Sequence, residues 1–340
     1  MVRNTKIVVS TIGTSFRDCT QLVSENLDDS MHLPPGHLLI QMTAFGVNAS
    51  DVNFTAGVYQ PNVHPPFDCG FEGMGLVLRC GASTSIKEGS PVVVTQHGSF
   101  SNFFVAHEAN CCVVPSLDAR YMAVRLSGLT AAISLAECGK PKSGEVALVT
   151  AAAGATGHIA VQLLKMAGCH VIGTCSTSEK GEMLSKLGCD QVVNYKRENL
   201  REVLRRKYPK GVNLIYESVG GDTLTACAEN IAIGGRILLI GSIAGYLDGT
   251  SWTKSGSMQL PPLLLRKSAS LHGFFLPHFS SMFEYQYRNL MRLVEIGSLK
   301  VHIDETFCGL SSVAAAEEHL HNGRNVGKVV VRVESVSSKL

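Results

Sequence analysis

Two patterns of hydrophobic and polar positions divide the chain. Through residue 124, Pro and Gly break the apolar positions into short runs, among them His37 to Val47, Gly73 to Cys80, Pro91 to Thr95 and Cys111 to Val114. That rhythm predicts a small barrel or sandwich of antiparallel strands. From Arg125 onward, apolar runs alternate with helix-length segments, the mark of β-α-β units around a parallel sheet. Val146 to Thr150 reads as a buried strand. Ile159, Ala160, Leu163, Leu164 and Ala167 then fall on one face of a helix. Further strands are predicted over His170 to Ser176, Val192 to Tyr195, Val212 to Glu217, Arg236 to Gly241 and Ser268 to Phe275. A helix follows around Glu284 to Gly297, and the tail from His302 to Val333 returns to the strand-rich style. The expected fold class is α/β: a β-barrel domain over 1–124, a doubly wound Rossmann sheet over 125–276, and a return to the first domain over 277–340.

The segment AAAGATG, Ala151 to Gly157, joins the first of these parallel strands to its helix. In a dinucleotide site such a turn brings backbone close to the pyrophosphate and aims helix N–H groups at its charge. Gly154 permits the close approach, and Gly157 permits tight packing of helix on strand. Ala152 stands where the GxGxxG pattern has its first glycine, so the turn by itself is also open to a purely structural role. The end of the next strand decides the cofactor. An NAD site places Asp or Glu there for the ribose 2′-hydroxyl. This chain has Thr174, Cys175, Ser176, Thr177 and Ser178, then Glu179 and Lys180. A lysine one helical turn beyond an uncharged strand end suits a 2′-phosphate, which favours NADPH.

Composition changes this picture little. At 340 residues the chain is long enough for two domains, and 45% hydrophobic content supports a large core. A formal charge of +2 gives no argument for nucleic acid or an anionic membrane as a partner. No apolar run approaches the roughly 20 residues of a membrane helix. Eleven cysteines, odd in number and without a spacing pattern, point to reduced thiols. Arg3, Lys6 and Arg17, with no acid before Asp18, faintly resemble a mitochondrial presequence, but Ile7 to Ser10 reads as a strand. Ser338, Lys339 and Leu340 form a peroxisomal address read by the import receptor, with cytoplasm or mitochondrion as the alternatives.

The run from Val149 to Gly245 contains VTAAAGATG, GTCSTSEK, VVNYK, YESVGG and LLIGSIAGY. With GVNASDVNFTAGVY, PPFDCGFEGMG, KSASLHGFFL and GRNVGKVVV, it resembles the quinone oxidoreductase branch of the medium-chain dehydrogenase/reductase superfamily over nearly the whole chain. The resemblance implies a GroES-like domain beside the Rossmann domain. It also implies NADPH-dependent reduction of activated C=C bonds in lipid enones such as 15-keto-prostaglandins. It puts Thr156 by the pyrophosphate and Ser176, Lys180 and Tyr195 around the adenosine phosphate. Ser218, Ile240 and Tyr246 would line the nicotinamide half. Phe274, Phe275, Leu276 and the amide of Asn325 would close over it. Homodimerisation through an edge strand near Leu271 is open by the same analogy.

Zinc relatives hold a catalytic metal with Cys, His and Cys, and the matching positions here are Asn48, Phe71 and about Leu126. No zinc is therefore expected. Polarising the substrate then falls to hydrogen-bond donors aimed at the oxygen that becomes an enolate. Tyr246 is the first candidate, with Asn48 and Tyr59 in support. A quinone reductase on the same scaffold would use the same cofactor groups. A protein that holds NADPH without turnover is the alternative of another class.

Overall fold

The protein is described by a computed structural model covering residues 2–28, 31–60, 62–247 and 260–334. The chain forms two compact units. One holds the residues up to Leu126 and from Ile303, the other Ser127–His302.

In the second unit, six parallel strands lie in the order Gln191–Asn194, His170–Cys175, Val146–Val149, Val212–Glu217, Ile231–Leu239 and Ser270–Gly273. Numbered by sequence this is 3-2-1-4-5-6, the doubly wound arrangement whose strand order reverses beside the first strand. Their apolar runs lack alternation because both faces are covered. One row shows why the register holds. Ile172, Leu148, Ile215 and Ile237 are direct partners across four strands, and each is fully buried. A slip of one residue would turn the whole row to the other face. Helices Leu200–Lys207, Gly221–Glu229 and Leu260–Lys267 bring Val203, Leu204, Cys227 and Leu260 onto the same core.

The expected return to the first domain at residue 277 is corrected to Ile303. Helix Phe283–Glu295 buries Tyr287, Leu290 and Val294 and packs on helix Leu129–Ser134 within the second unit. The last parallel strand is also shorter than expected, Ser270–Gly273.

The first unit is largely antiparallel, as its broken apolar pattern requires. His37–Gly46 is the central strand, pairing with Gly73–Cys80, Phe103–His107 and Lys328–Arg332. Ile303–Cys308 runs parallel to Lys328–Arg332. The tail is therefore not strand alone: helix Val313–His321 intervenes, burying Val313, Ala316 and Leu320. Among the described residues, no helix is long and apolar enough to cross a membrane.

Candidate functional site

The turn after Val146–Val149 is held by the neighbouring strand. Thr174 accepts the Ala151 N–H with its hydroxyl, at 3.1 Å, and the Ala152 N–H with its carbonyl, at 3.0 Å. Ala151 takes a positive φ of 46° to turn the chain. Gly154 N–H donates back to Ala151 O at 2.9 Å. Helix Gly157–Met166 then starts at the Thr156 cap, whose side chain makes no capping bond. A Cβ on Gly157 would lie 2.8 Å from Ala152 Cα, so only glycine lets the helix sit this close to the turn. The first-turn N–H groups of such a helix are the donors an anion takes up.

The next strand end gathers the residues expected at the adenosine phosphate. Cys175 and Asn194 are register partners, so Ser176 and Tyr195 leave adjacent strand ends, and Tyr195 N–H donates to Cys175 O at 3.1 Å. Tyr195 is exposed. Thr177 caps the following helix by accepting the Lys180 N–H at 3.3 Å, and Lys180 itself is mostly buried. No acidic side chain stands between Thr174 and Ser178.

Three residues expected at the nicotinamide half, Ser218, Ile240 and Tyr246, lie on loops gathered around Glu217. Glu217, fully buried at the end of Val212–Glu217, accepts the N–H groups of Val219 and Gly220 at about 3 Å and the Thr150 hydroxyl at 3.2 Å. Burial pushes its carboxyl up to about 7, against the pull of those donors. The Thr150 hydroxyl oxygen accepts the Ser218 N–H at 2.9 Å. Ile243 and Ala244 donate to the carbonyls of Ser218 and Val219, joining the Tyr246 loop to the Ser218 loop. Ile240 N–H donates to Glu217 O at 2.8 Å. The Ser218 hydroxyl oxygen is buried without a hydrogen-bond partner among the described residues. The Tyr246 oxygen accepts the Ser242 N–H at 3.1 Å, inside its own loop.

Phe274 N–H bonds to Leu239 O, beside Ile240. The three expected lid residues behave differently. Phe274 is buried and stacked on Phe279 at 4.9 Å, Leu276 is buried, and only Phe275 is exposed.

The first unit contains a feature that the sequence reasoning missed, a buried charge network around Asn48. Lys328 Nζ lies 2.5 Å from Glu72 Oε2 and donates to Asn48 Oδ1, also at 2.5 Å. Asn48 Nδ2 donates to Gly46 O and to Glu72 Oε2, each at 3.1 Å. Its N–H is taken by Asp51 Oδ2 at 2.8 Å. The Asp51 carboxyl interacts with that of buried Glu317, and burial raises both well above the usual range. Gly46 makes room: a Cβ there would sit 2.7 Å from Glu72 Cδ. The signals were Lys328 heading the apolar run Val329 to Val331 and Glu72 inside a glycine-rich one.

This network corrects one expectation. Both amide hydrogens of Asn48 are used, and its oxygen receives the ammonium, so Asn48 has no proton to give a substrate oxygen. It does not suit zinc either. Phe71 offers no ligand and packs on Phe54 at 5.0 Å, and the Lys328 ammonium already sits on the Asn48 oxygen. Among the described residues, no group of three His, Cys, Asp or Glu side chains is placed to hold a metal.

Tyr59 lies in an aromatic cluster with Phe54, at 5.1 Å, which also meets His97 at 4.3 Å. Its oxygen accepts Asn53 Nδ2–H at 3.2 Å, and burial raises its hydroxyl pKa. Asn325 is buried and donates to Gly327 O at 2.9 Å. Ser338, Lys339 and Leu340 lie outside the described residues.

Comparison with known proteins agrees with both halves. Residues 34–139 match the alcohol dehydrogenase GroES-like domain, and residues 155–295 match the zinc-binding dehydrogenase family. A probable quinone oxidoreductase of Leishmania amazonensis is 45% identical over 97% of this chain and 98% of its own. Prostaglandin reductase-3 of Mus musculus is 41% identical over 98% of this chain and 91% of its own. The Escherichia coli quinone oxidoreductase, whose structure was solved with NADPH, superposes with a TM-score of 0.82 at 25% identity, over 96% of this chain and 99% of that one. The chain therefore belongs to the medium-chain dehydrogenase/reductase superfamily, in the branch of the quinone oxidoreductases and prostaglandin reductase-3.

Proposed function

We propose that this protein is a zinc-independent, NADPH-dependent oxidoreductase whose acceptor is a quinone. The observation that carries the cofactor assignment is the turn Ala151 to Gly157, packed too tightly at Gly157 for any side chain and followed by a strand end without an acid. The buried, unpartnered Ser218 hydroxyl supports it, because it marks a polar contact still to be made. Relatives support it too, since the Escherichia coli quinone oxidoreductase was solved with NADPH. Bound NADPH supplies a hydride.

The chain's own residues do the rest. The turn and the cap at Thr156 hold the pyrophosphate. Ser176, Lys180 and Tyr195 hold the adenosine phosphate, with Lys180 neutralising charge. Glu217 and Thr150 set the Ser218 loop, and Ile240, Tyr246, Phe274, Phe275 and Leu276 shape the nicotinamide surroundings. Tyr246 is the proton-bearing group that the second unit offers an acceptor oxygen, and Tyr59 is the candidate in the first unit. Hydride and one proton together convert a quinone to a hydroquinone.

The 45% relative favours a quinone as the acceptor. The 41% likeness to prostaglandin reductase-3 supports a second reading, in which hydride adds to the β-carbon of a 15-keto-prostaglandin-like enone and a proton to the α-carbon. Steady-state NADPH oxidation with matched panels of quinones and enones tests the choice. Higher kcat/KM for quinones is expected, and activity restricted to enones would replace the first reading by the second.

A further inference from the structure

We propose that His158 is a positioning residue of the dinucleotide turn, holding the Gly154 carbonyl so that the Ala155 N–H faces outward as a phosphate donor. The proposal rests on the reading of this turn as the pyrophosphate site. His158 is fully buried in the first turn of helix Gly157–Met166. Its Nδ1 is 2.7 Å from Gly154 O, and its Nε2 is 3.2 Å from His302 N. A carbonyl only accepts and a backbone N–H only donates, so these contacts require a neutral ring with its proton on Nδ1. Burial favours the same neutral form, lowering the ring to about 4.

Gly154 O also accepts the backbone N–H of His158, at 3.1 Å. A trans peptide is planar, so the Ala155 N–H points opposite to the Gly154 carbonyl. Holding that carbonyl from two sides therefore fixes the direction of the donor. Glycine at 154 needs such a restraint, because it can rotate into conformations closed to other residues. The ring also ties the turn to Lys300–His302. Gln162 reinforces the tie, donating to Lys300 O and accepting Lys300 N–H, each at 2.8 Å.

Two substitutions separate the two ends of the ring. Asn at 158 keeps an amide donor near the Nδ1 position, whereas Gln reaches toward His302 and leaves Gly154 unheld. Binding is measured for NADPH and for adenosine 2′-monophosphate, which lacks the pyrophosphate. His158→Gln is expected to weaken NADPH about tenfold, as for one lost hydrogen bond to a charged group, with adenosine 2′-monophosphate unchanged. His158→Asn is expected to recover most of the NADPH affinity. Equal NADPH affinity in the parent and His158→Gln overturns the proposal, as does equal weakening of both ligands. A parent protein that does not bind NADPH overturns the pyrophosphate-site reading instead. Where His158→Gln does not fold, nitrogen-15 spectra of the parent histidines decide. The His158 proton is expected on Nδ1 from about pH 5 to 8, and a proton on Nε2 overturns the proposal.

Discussion

Lys328 and Glu72 form an ion pair with neither side chain exposed to solvent, Nζ to Oε2 2.5 Å. The pair holds the Asn48 side chain from both ends, since Asn48 accepts from Lys328 and donates to Glu72. At the position where zinc relatives place a metal ligand, this chain has an amide locked to an ammonium.

Removing one member of such a pair leaves a buried charge without its counterion. Lys328→Met is expected to cost about 3–5 kcal/mol of unfolding free energy, measured by urea denaturation. Adding Glu72→Gln should recover part of the loss. A double variant no more stable than Lys328→Met alone would show that the pair does not act as a unit.

The locked amide also predicts metal independence. Purified protein treated with chelator and dialysed should retain its NADPH oxidation rate, because Asn48 and Phe71 supply no metal ligand. Activity lost on chelation and restored by stoichiometric zinc would contradict the account of this network.

Lys180 should separate the two nicotinamide cofactors. Lys180→Ala is expected to raise the NADPH Kd by about 10–100-fold, the effect of losing a charge-assisted bond to phosphate, while leaving the NADH Kd nearly unchanged. Equal losses for both cofactors would mean that Lys180 supports the helix Ser178–Lys186 rather than the 2′-phosphate.

Glu217 gives stability a definite pH dependence. Its folded pKa of about 7 lies above the ordinary carboxyl value, so the protonated form is favoured by folding. The stability it contributes is complete below the unfolded pKa and is lost as pH rises through about 7. Thermal scans should show the midpoint falling between about pH 5 and 8, by the equivalent of about 1–3 kcal/mol. Asp51 and Glu317, also raised by burial, act in the same direction. Glu217→Gln should flatten the slope, and an unchanged slope would place the titration elsewhere.

The parallel sheet was legible because burial on both faces writes itself as continuous apolar runs such as Val146 to Val149. The turn from Ala151 to Gly157 was legible because it joins a strand to a helix and because the packing at Gly157 leaves no room for a side chain. Helix Val313–His321 was harder to see: it is short, rich in alanine and charge, and its buried face includes Glu317 beside Val313, Ala316 and Leu320. The Lys328 network stayed hidden for a different reason. Its members come from residues 48, 51, 72, 317 and 328, and only folding places them in one buried cluster. Asn48 shows the consequence. Its residue type suggested a donor, but its hydrogens were already assigned to Gly46 and Glu72.

The most direct test of the account is a single-turnover reaction of chelator-treated protein with NADPH and a quinone, followed by the loss of NADPH absorbance and by product analysis. The account predicts one hydroquinone formed per NADPH consumed, at a rate slowed on the order of 10²-fold in Tyr246→Phe or in Tyr59→Phe, whichever hydroxyl serves the acceptor oxygen. Tight NADPH binding with no oxidation by any quinone or enone would contradict it, and would make the protein a holder of NADPH instead of an enzyme.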